Sequence, residues 1–437
     1  MTDTAATILA EARQKCAAAE VFEQSGQVRS VRFENNKLKR VTSRQYTGVG
    51  LRLIVDGRIG FASTTDLRKP KRLVEMAVAS AGFGEKPRFD LPRQPDNLSA
   101  VRTHDPEVED VTQENLVDMG REAMAMAREA SEEYLFSGSL SVRSGTERIL
   151  NTAGLELSHP ASGMSASVEI EEVRDGGLLQ AYEQKSWGQP FSDMKDITSE
   201  ALEKMRLGQI IARPGIKTMP VVFRSKAVHN LLSPIMTALN GKLVHKGSSL
   251  LAGRIGDEII DSRISIIDDP TLDYAPGSGS SDDEGLPTRR LPLIEDGAVK
   301  NYLLDLQTAG LLDREPTGNG YRSFSKQPSP SSANTIVPPG DTSYEDIIRG
   351  MDEGLIVDQT LGSGQSNTLA GEFSVNVSLG FLVENGEIKG RVKDAMVAGN
   401  VYDLLSRVDA IGDTPRWVGS SLVPPICLAN IKLSSQA

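Results

Sequence analysis

Within GSGSSDDEGLPTRRLPLIEDG, residues 277–297, the composition changes twice: a glycine-rich acidic segment is followed by a mostly apolar segment and then by a turn. Gly277 and Gly279 permit backbone angles that a side chain would forbid, and three consecutive carboxylates follow at 282–284. The mostly apolar residues 286–294 predict a strand, and the Asp-Gly pair at 296–297 suits a hairpin turn that needs positive φ. The stretch therefore predicts a flexible acidic loop that leads into a strand, with the neighbouring elements arranged around it.

The composition predicts a protein with a sizeable core and two or three domains, since 39% of the 437 residues are hydrophobic. The net charge of −11 disfavours direct nucleic-acid binding, because phosphate contacts need a basic face, although a local basic patch is compatible with it. Cys16 and Cys427 are the only cysteines, which excludes a disulfide framework and a cysteine-rich zinc site and favours a reducing compartment. No apolar run has the length of a membrane helix, so we expect no membrane association and a cytoplasmic location.

The pattern predicts an α+β fold whose amino-terminal α/β domain covers residues 1–210. Apolar residues alternate from Val28 to Phe61, with turns at Asn35-Asn36 and Asp56-Gly57, which predicts a meander of about four antiparallel strands. Apolar residues at helical spacing predict helices over Thr4–Ala18 with Asp3 as cap, Leu67–Ala81, Thr112–Glu132 and Ile197–Leu207. The methionine-containing stripe of the third helix is interpreted as core packing rather than a peptide surface.

Residues 211–437 predict a β-rich carboxy-terminal domain with peripheral helices. These helices are predicted over Ser225–Leu239 with Ser225 as N-cap, Asp341–Leu355 with Ser343 as cap, and Val397–Arg407. Thr317–Pro339 is a long polar connection, and such a segment in a compact domain is more often functional than idle.

Common catalytic motifs fail on this sequence. A phosphate-binding loop would need Gly where Met236 stands, and a nucleophile elbow would need Gly two residues after Ser366, where Thr368 stands. These motifs therefore predict neither nucleotide hydrolysis nor hydrolysis by a serine nucleophile.

The four histidines offer a weak basis for a metal site. His104 and His159 are interpreted as solvated surface residues. His229 lies on a predicted helix, but Asn230 and Ser233 stand where a zinc hydrolase would place a second imidazole or a carboxylate, so a helix-surface or core histidine is the favoured interpretation.

The other potential ligands have equally plain interpretations. His245 lies 16 residues after His229, and no local sequence pattern brings their side chains together. Cys427 is interpreted as a buried structural thiol. Asp282, Asp283 and Glu284 could bind a divalent cation, but a solvated acidic loop is the favoured interpretation.

Several motifs, in order along most of the chain, resemble those of the TldD/PmbA family, whose older name is "modulator of DNA gyrase". They occupy residues 48–52 and 56–62 in the amino-terminal part, and 246–249, 283–290, 293–297, 316–318, 371–374, 384–388 and 398–400 in the carboxy-terminal part. Each motif is weak alone, and together they are specific.

The resemblance implies a metallopeptidase family in which the catalytic branch carries His-Glu-x-x-x-His on the helix before the Lys-Gly-Ser/Thr segment, with a later cysteine completing the zinc site. When the helix is aligned by its distance from Lys246, apolar and small residues stand at those ligand positions in this chain. Cys427 lies later in the sequence than the zinc-binding cysteine of the family. The pattern is similar to the metal-free branch, TldE or PmbA, which accompanies a zinc-bearing TldD subunit in a heterodimeric peptidase. We therefore expect no catalytic residue, metal ligand or cofactor in this chain, with zinc only in a TldD-type partner.

Three hypotheses follow. The leading one is a metal-free companion subunit of a cytoplasmic zinc metallopeptidase for unfolded or small peptides, paired with a TldD-type subunit or with itself. The alternatives are a self-sufficient peptidase of the same family and a regulatory protein that modulates DNA gyrase. The sequence leaves open the peptide specificity and the choice between homodimer and heterodimer. The candidates for lining a peptide groove are Gly277, Gly279, Asp282, Asp283, Glu284, Gly362 and Gly364.

Overall fold

The computed structural model describes residues 3–174, 177–214, 216–362 and 366–435. It confirms the mixed α+β class: a six-stranded antiparallel sheet occupies the amino-terminal half, and an eight-stranded sheet occupies the carboxy-terminal half. In the second sheet, β15 (Glu353–Leu361) pairs with both β8 (Lys217–Phe223) and β16 (Glu372–Glu384), which curls the sheet into a small barrel.

The amino-terminal sheet has the strand order β3-β2-β1-β4-β5-β6 and packs against helices. Its elements, in chain order, are α1 Thr4–Arg13, β1 Ala18–Glu34, β2 Lys37–Val55, β3 Arg58–Thr64, α2 Pro70–Ala81, α3 Glu107–Asp110, α4 Gln113–Ala130, β4 Leu135–Asn151, β5 Glu156–Arg174, β6 Gly177–Trp187 and α5 Lys195–Leu207.

The predicted meander of four strands is wrong in number, because β1 and β2 are each continuous and only β3 follows. The turns at Asn35-Asn36 and Asp56-Gly57 are confirmed, with positive φ at all four residues. Gly48 and Gly50 lie inside β2 without breaking it. A Cβ at Gly48 would stand 2.5 Å from the Phe324 ring, and one at Gly50 would stand 2.4 Å from the Phe324 carbonyl oxygen. The absence of a side chain at both glycines therefore leaves room for the loop of the carboxy-terminal half that carries Phe324.

The predicted amino-terminal helices are confirmed; α1, α2 and α4 are shorter than predicted, whereas α5 begins two residues earlier, at Lys195. Asp3 caps α1 by accepting a hydrogen bond from the Ala6 amide, but the helix ends at Arg13 because the chain enters β1 at Ala18. Thr112 caps α4 in a capping box, and the buried residues Leu116, Met119 and Ala123 confirm that the stripe of α4 packs into the core.

The carboxy-terminal half winds helices and short strands around the barrel. Its remaining elements are β7 Ile211–Ala212, α6 Ser225–Ala238, α7 Gly241–His245, β9 Ile266–Asp268, β10 Leu291–Glu295, β11 Ala298–Val299, α8 Leu306–Leu311, β12 Gly320–Tyr321, β13 Ser329–Pro330, β14 Thr335–Ile336, α9 Tyr344–Arg349, a 3-10 turn at Thr368–Ala370, β17 Glu387–Val392, β18 Ala395–Asn400, α10 Val401–Leu405, β19 Val408–Ile411, β20 Arg416–Val418, β21 Ser421–Val423 and β22 Ile426–Ser435.

Three local predictions in this half need correction. Arg224, not Ser225, is the N-cap of α6, and Ser225 is buried as the first helical residue. Ser343 does cap α9, but that helix ends at Arg349 because the next segment pairs as β15. The predicted helix Val397–Arg407 is shorter than expected: residues 397–400 belong to β18, which pairs with β16 and β22, and only Val401–Leu405 form the helix α10.

The hydrophobic core continues across the predicted domain boundary near residue 210. One cluster joins Phe33, Phe136 and Met205 with Val222 and Phe381 of the barrel. The division into residues 1–210 and 211–437 stays a prediction, and any two units defined there share buried surface. In the described part of the chain, every helix is too short or too polar to cross a membrane.

Candidate functional site

The acidic segment 282–284 is buried between the two halves of the molecule. Asp282 is 2% exposed and Glu284 is 0% exposed, whereas Asp283 is partly buried. The interpretation as a solvated loop is therefore wrong. The physical reason is that cations and backbone amides from other elements meet these carboxylates and offset much of the cost of removing them from water.

Glu284 belongs to a buried ion-pair network that we call the central charge network: Glu20, Arg52, Glu284 and Arg322. Arg52 on β2 donates from one guanidinium nitrogen to Glu284 at 2.8 Å and places another 3.1 Å from Glu20 on β1. Arg322 contacts Glu20 at 2.6 Å. Two carboxylates from distant segments are thus matched by two guanidinium groups, so the network joins the amino-terminal sheet to the 277–285 segment.

Aromatic rings shield this network from water. The guanidinium carbon of Arg52 lies 4.7 Å from the centroid of the Phe89 ring, and that of Arg322 lies 4.4 Å from the centroid of the Phe22 ring. Cations over aromatic faces are stabilised by the ring quadrupole, and the rings complete the apolar enclosure. The network is therefore a fixed structural element, and its carboxylates do not face an open groove.

Asp282 shapes the backbone of the acidic segment. One carboxylate oxygen accepts hydrogen bonds from the amides of Glu284 and Leu286, and the other accepts from the amide of Gly320 at 2.9 Å. Burial, followed by the nearby charge of Glu284, raises the pKa of Asp282 well above its usual value. This residue organises a tight turn in the manner of an Asx turn.

Asp283 is the member of the segment whose protonation changes near neutral pH. Its carboxylate accepts a hydrogen bond from the Arg322 amide at 2.6 Å. Burial, and then the neighbouring charge of Glu147, raises the pKa of Asp283 to about 7. The folded protein therefore holds a proton here that the unfolded chain releases near pH 4.

We expect the variant Asp283→Asn to weaken the pH dependence of stability. Because the pKa of Asp283 is higher in the folded protein than in the unfolded chain, its protonated form stabilises the folded state at low pH. This contribution is lost as the pH rises from about 4 to about 7. The wild type should therefore lose on the order of 1–2 kcal/mol more than the variant between pH 5 and pH 8. Urea unfolding of both proteins at the two pH values measures this difference. Parallel losses in the two proteins would contradict the prediction.

The candidate glycines occupy closely packed or turn positions. A Cβ at Gly277 would stand 2.1 Å from the Ala333 carbonyl oxygen, and the Gly277 amide donates to Asn334. The Gly279 amide donates to the Pro270 carbonyl oxygen at 3.0 Å. Gly362 has a φ of 86°, and Gly364 lies outside the described residues. In this conformation the two amides are already used within the protein, and the groove itself stays a prediction.

The histidines near the loop are less exposed than their flanking sequence indicates. His159 on β5 places Nε2 2.8 Å from the Ser281 hydroxyl, and burial lowers the pKa of its imidazole. His104 lies 3.2 Å from Glu109, and its side chain is only 28% exposed. The interpretation as a solvated residue is therefore wrong for His159, whose ring is covered by a tertiary contact, whereas His104 stays partly exposed at the surface.

The α6 region does not fit zinc. His229 lies on the exposed side of the helix, as one of the two interpretations predicted, with Nδ1 3.0 Å from the Ser421 hydroxyl, and Asn230 donates to Thr360. Cys427 is 1% exposed, and burial together with the nearby Asp409 raises the pKa of its thiol to about 12, which opposes the thiolate form that binds metal. Within the described ranges, no three His, Cys, Asp or Glu residues are grouped so as to hold a metal ion.

A second buried network escaped the sequence analysis. We call it the lateral charge network: Glu183, Glu200, Lys204, Arg224, Lys226 and Asp358. Asp358 on β15 contacts Lys204 at 2.8 Å, Arg224 at 3.0 Å and Lys226 at 3.3 Å. Lys204 also contacts Glu183 and Glu200. Two features of the sequence could have indicated this network: Lys204 lies on the apolar stripe of α5, and Asp358 directly follows the apolar run of β15.

The comparisons with known protein families agree with the motifs. The sequence model of the "PmbA/TldA metallopeptidase C-terminal domain" matches residues 216–435, and that of "PmbA/TldA metallopeptidase domain 1" matches residues 19–81. A protein named "Metalloprotease" from Methanothermobacter thermautotrophicus is 27% identical over 94% of this chain and 91% of its own length. A protein named "Metalloprotease PmbA" from Escherichia coli O157:H7 is 23% identical over 100% of this chain and 96% of its own length.

Two solved structures share the fold along the whole chain. The crystal structure of TldE from Thermococcus kodakarensis has a TM-score of 0.91 at 24% identity and covers 99% of this chain and 100% of its own. A putative modulator of a DNA gyrase from Thermotoga maritima has a TM-score of 0.90 at 23% identity and covers 99% of both chains. Since the carboxy-terminal family model alone matches half of the residues, the chain belongs to the PmbA/TldD metallopeptidase family.

Proposed function

We propose that this chain is the metal-free companion subunit of a TldD/TldE-type zinc metallopeptidase that acts on unfolded or small peptides in the cytoplasm. One observation carries the proposal: α6 offers a single imidazole, His229, which contacts Ser421, while Asn230 and Ser233 stand where further ligands would be needed. The fold shared with the TldE of T. kodakarensis supports the same assignment.

A subunit without zinc can still contribute to proteolysis through shape. If two subunits of like fold face each other across a chamber, this chain supplies one wall and positions an extended peptide near the partner's metal. The groove candidates around Gly277 and Gly362 belong to this proposal. The buried charge networks supply the rigidity that such a wall requires.

The test measures zinc and peptidase activity with and without a TldD-type subunit. Purified alone, the chain should contain far less than one zinc per chain and leave labelled casein uncleaved. Addition of the TldD-type subunit should give a stable complex that cleaves casein. The control variant His229→Ala should match the wild type in zinc content and in the activity of the complex. Stoichiometric zinc that is lost in this variant would overturn the proposal.

Other outcomes of the experiment favour different functions. Cleavage by the lone chain, inhibited by a chelator or by a serine reagent, would indicate a self-sufficient peptidase. The name given to the T. maritima protein, a modulator of a DNA gyrase, suggests a regulatory role toward gyrase as a second candidate. A pull-down that recovers gyrase but no TldD-type chain would favour that role over the companion subunit.

A further inference from the structure

One face of the amino-terminal sheet carries polar side chains in rows that cross the strands. In one row, Ser30 of β1 pairs with Thr42 of β2 and with Ser141 of β4, which pairs with Ser165 of β5. The hydroxyl oxygens lie 2.7 Å apart for Ser30 and Thr42 and 2.8 Å apart for Ser141 and Ser165. We call this surface the polar face. Rows of hydroxyl groups on an open sheet offer hydrogen-bond donors and acceptors to a ligand.

Four exposed arginines flank this row: Arg32, Arg40, Arg44 and Arg143. Arg32 of β1 is directly opposite Arg40 of β2, and Arg44 and Arg143 both lie opposite Val28, on either side of β1. Like charges directly opposite each other destabilise a sheet. In the part of the chain that the structure describes, none of the four has an ion pair or a side-chain hydrogen bond, and Glu34 on the same strand contacts Lys39 instead.

This accumulation of positive charge contrasts with a chain whose net charge is −11. The sheet keeps the repulsion between Arg32 and Arg40 without a neutralising carboxylate. An anionic ligand would supply the missing charge and accept hydrogen bonds from the guanidinium forks.

The polar face leads into a hollow between the two halves of the molecule. The row of Arg40, Arg32, Ser139 and Ser167 continues to Gln184 of β6. There, Trp417 of β20 and Gly419 of the turn after it lie over the sheet and line a hollow of about 160 Å³. At the usual spacing between strands, the path from β2 to β6 is about 20 Å, which is the length of about six extended residues.

We propose that the polar face binds an extended acidic polypeptide segment, with its carboxylates on Arg32, Arg40, Arg44 and Arg143 and one end in the hollow beside Trp417. A polypeptide is favoured over nucleic acid because the overall acidic charge of the chain repels a densely charged polyanion, and because the hydroxyl groups of Ser30, Thr42 and Ser141 stand between the arginines along the strands. Acidic peptides are the substrate class that this proposal assigns to the protein. Their binding does not depend on the proposed function; only their later cleavage rests on it.

The chain contains its own reporter for this site. Its two tryptophans are Trp187 and Trp417, whose rings form an edge-to-face pair with centroids 5.7 Å apart at the hollow. A ligand that enters the hollow should therefore change the intrinsic tryptophan fluorescence, with no background from tryptophans elsewhere.

The experiment titrates the purified full chain with a fluorescein-labelled peptide of six Glu-Ser repeats, followed by anisotropy, and with the unlabelled peptide, followed by tryptophan fluorescence. The peptide of six Gln-Ser repeats is the neutral control. We expect binding of the Glu peptide at least tenfold tighter than that of the Gln peptide, weakening as salt is added.

The double variant R32Q/R40Q should weaken binding of the Glu peptide at least tenfold. The matched control R13Q/R72Q removes the same charge from exposed positions on α1 and α2 and should change binding less than twofold. Equal effects of the two double variants, equal binding of the two peptides, or tighter binding of a 12-nucleotide thymidine oligomer would overturn the proposal. Because no partner and no cleavage enter this assay, failure of the companion-subunit role would leave its result unaffected.

Discussion

The variant Asp358→Ala should lose about 3–5 kcal/mol of unfolding free energy, because it leaves buried cations without their central carboxylate. Asp358 is 0% exposed and contacts Lys204, Arg224 and Lys226, of which Lys204 is itself 2% exposed. Glu183 and Glu200 remain after the substitution, so three positive charges would face two negative ones in a poorly solvated space.

Urea unfolding at pH 7 measures this loss, and two further variants identify its cause. Asp358→Asn keeps the shape and should show most of the loss, whereas Glu203→Ala breaks only an exposed pair with Arg206 on α5 and should cost less than about 1 kcal/mol. The three cations hold the pKa of Asp358 far below its usual value, so its stabilisation should fade as the pH falls below about 4. A loss below 1 kcal/mol in Asp358→Ala would contradict the prediction.

The variant Arg52→Met should lose a similar amount, about 3–5 kcal/mol at pH 7. Arg52 contacts both Glu20 and Glu284, which are fully buried, and its removal leaves Arg322 as the guanidinium that faces Glu20. Protonation of a carboxylate relieves this imbalance. The deficit of the variant relative to the wild type should therefore shrink as the pH falls from 8 to 5.

A double variant separates charge from packing at the central network. Arg52→Met with Glu284→Gln leaves the pair of Glu20 and Arg322, which lie 2.6 Å apart. If uncompensated charge is the main cost, the second substitution should restore more than half of the lost stability, as a double-mutant cycle would show. Additive losses from the two substitutions would instead indicate that packing around Arg52 dominates.

The sequence predicts the local structure of this protein better than its buried electrostatics. The hairpin turns at Asn35-Asn36 and Asp56-Gly57 were predictable because positive φ favours those residue types. The helix caps at Asp3 and Ser343 were predictable because each depends on a hydrogen bond to an amide three residues away.

The errors arise where distant segments meet. The carboxylates of 282–284 look solvated in sequence because Arg52 and Arg322, which meet Glu284 and Asp283, come from other segments. The close approach of Phe324 to Gly48 and Gly50 could likewise not be predicted, because Phe324 comes from a segment far away in the sequence. The family motifs directed the search for zinc ligands to α6, but no local pattern revealed the lateral charge network.

The central charge network also constrains how the chain folds during its synthesis. Arg52 leaves the ribosome 232 residues before Glu284, a delay of roughly 10 to 50 seconds at ordinary translation rates. Throughout that interval the nascent amino-terminal sheet holds its guanidinium group with only one of its two carboxylates. A polypeptide that is truncated before residue 284 should therefore be a substrate for chaperones and quality-control proteases.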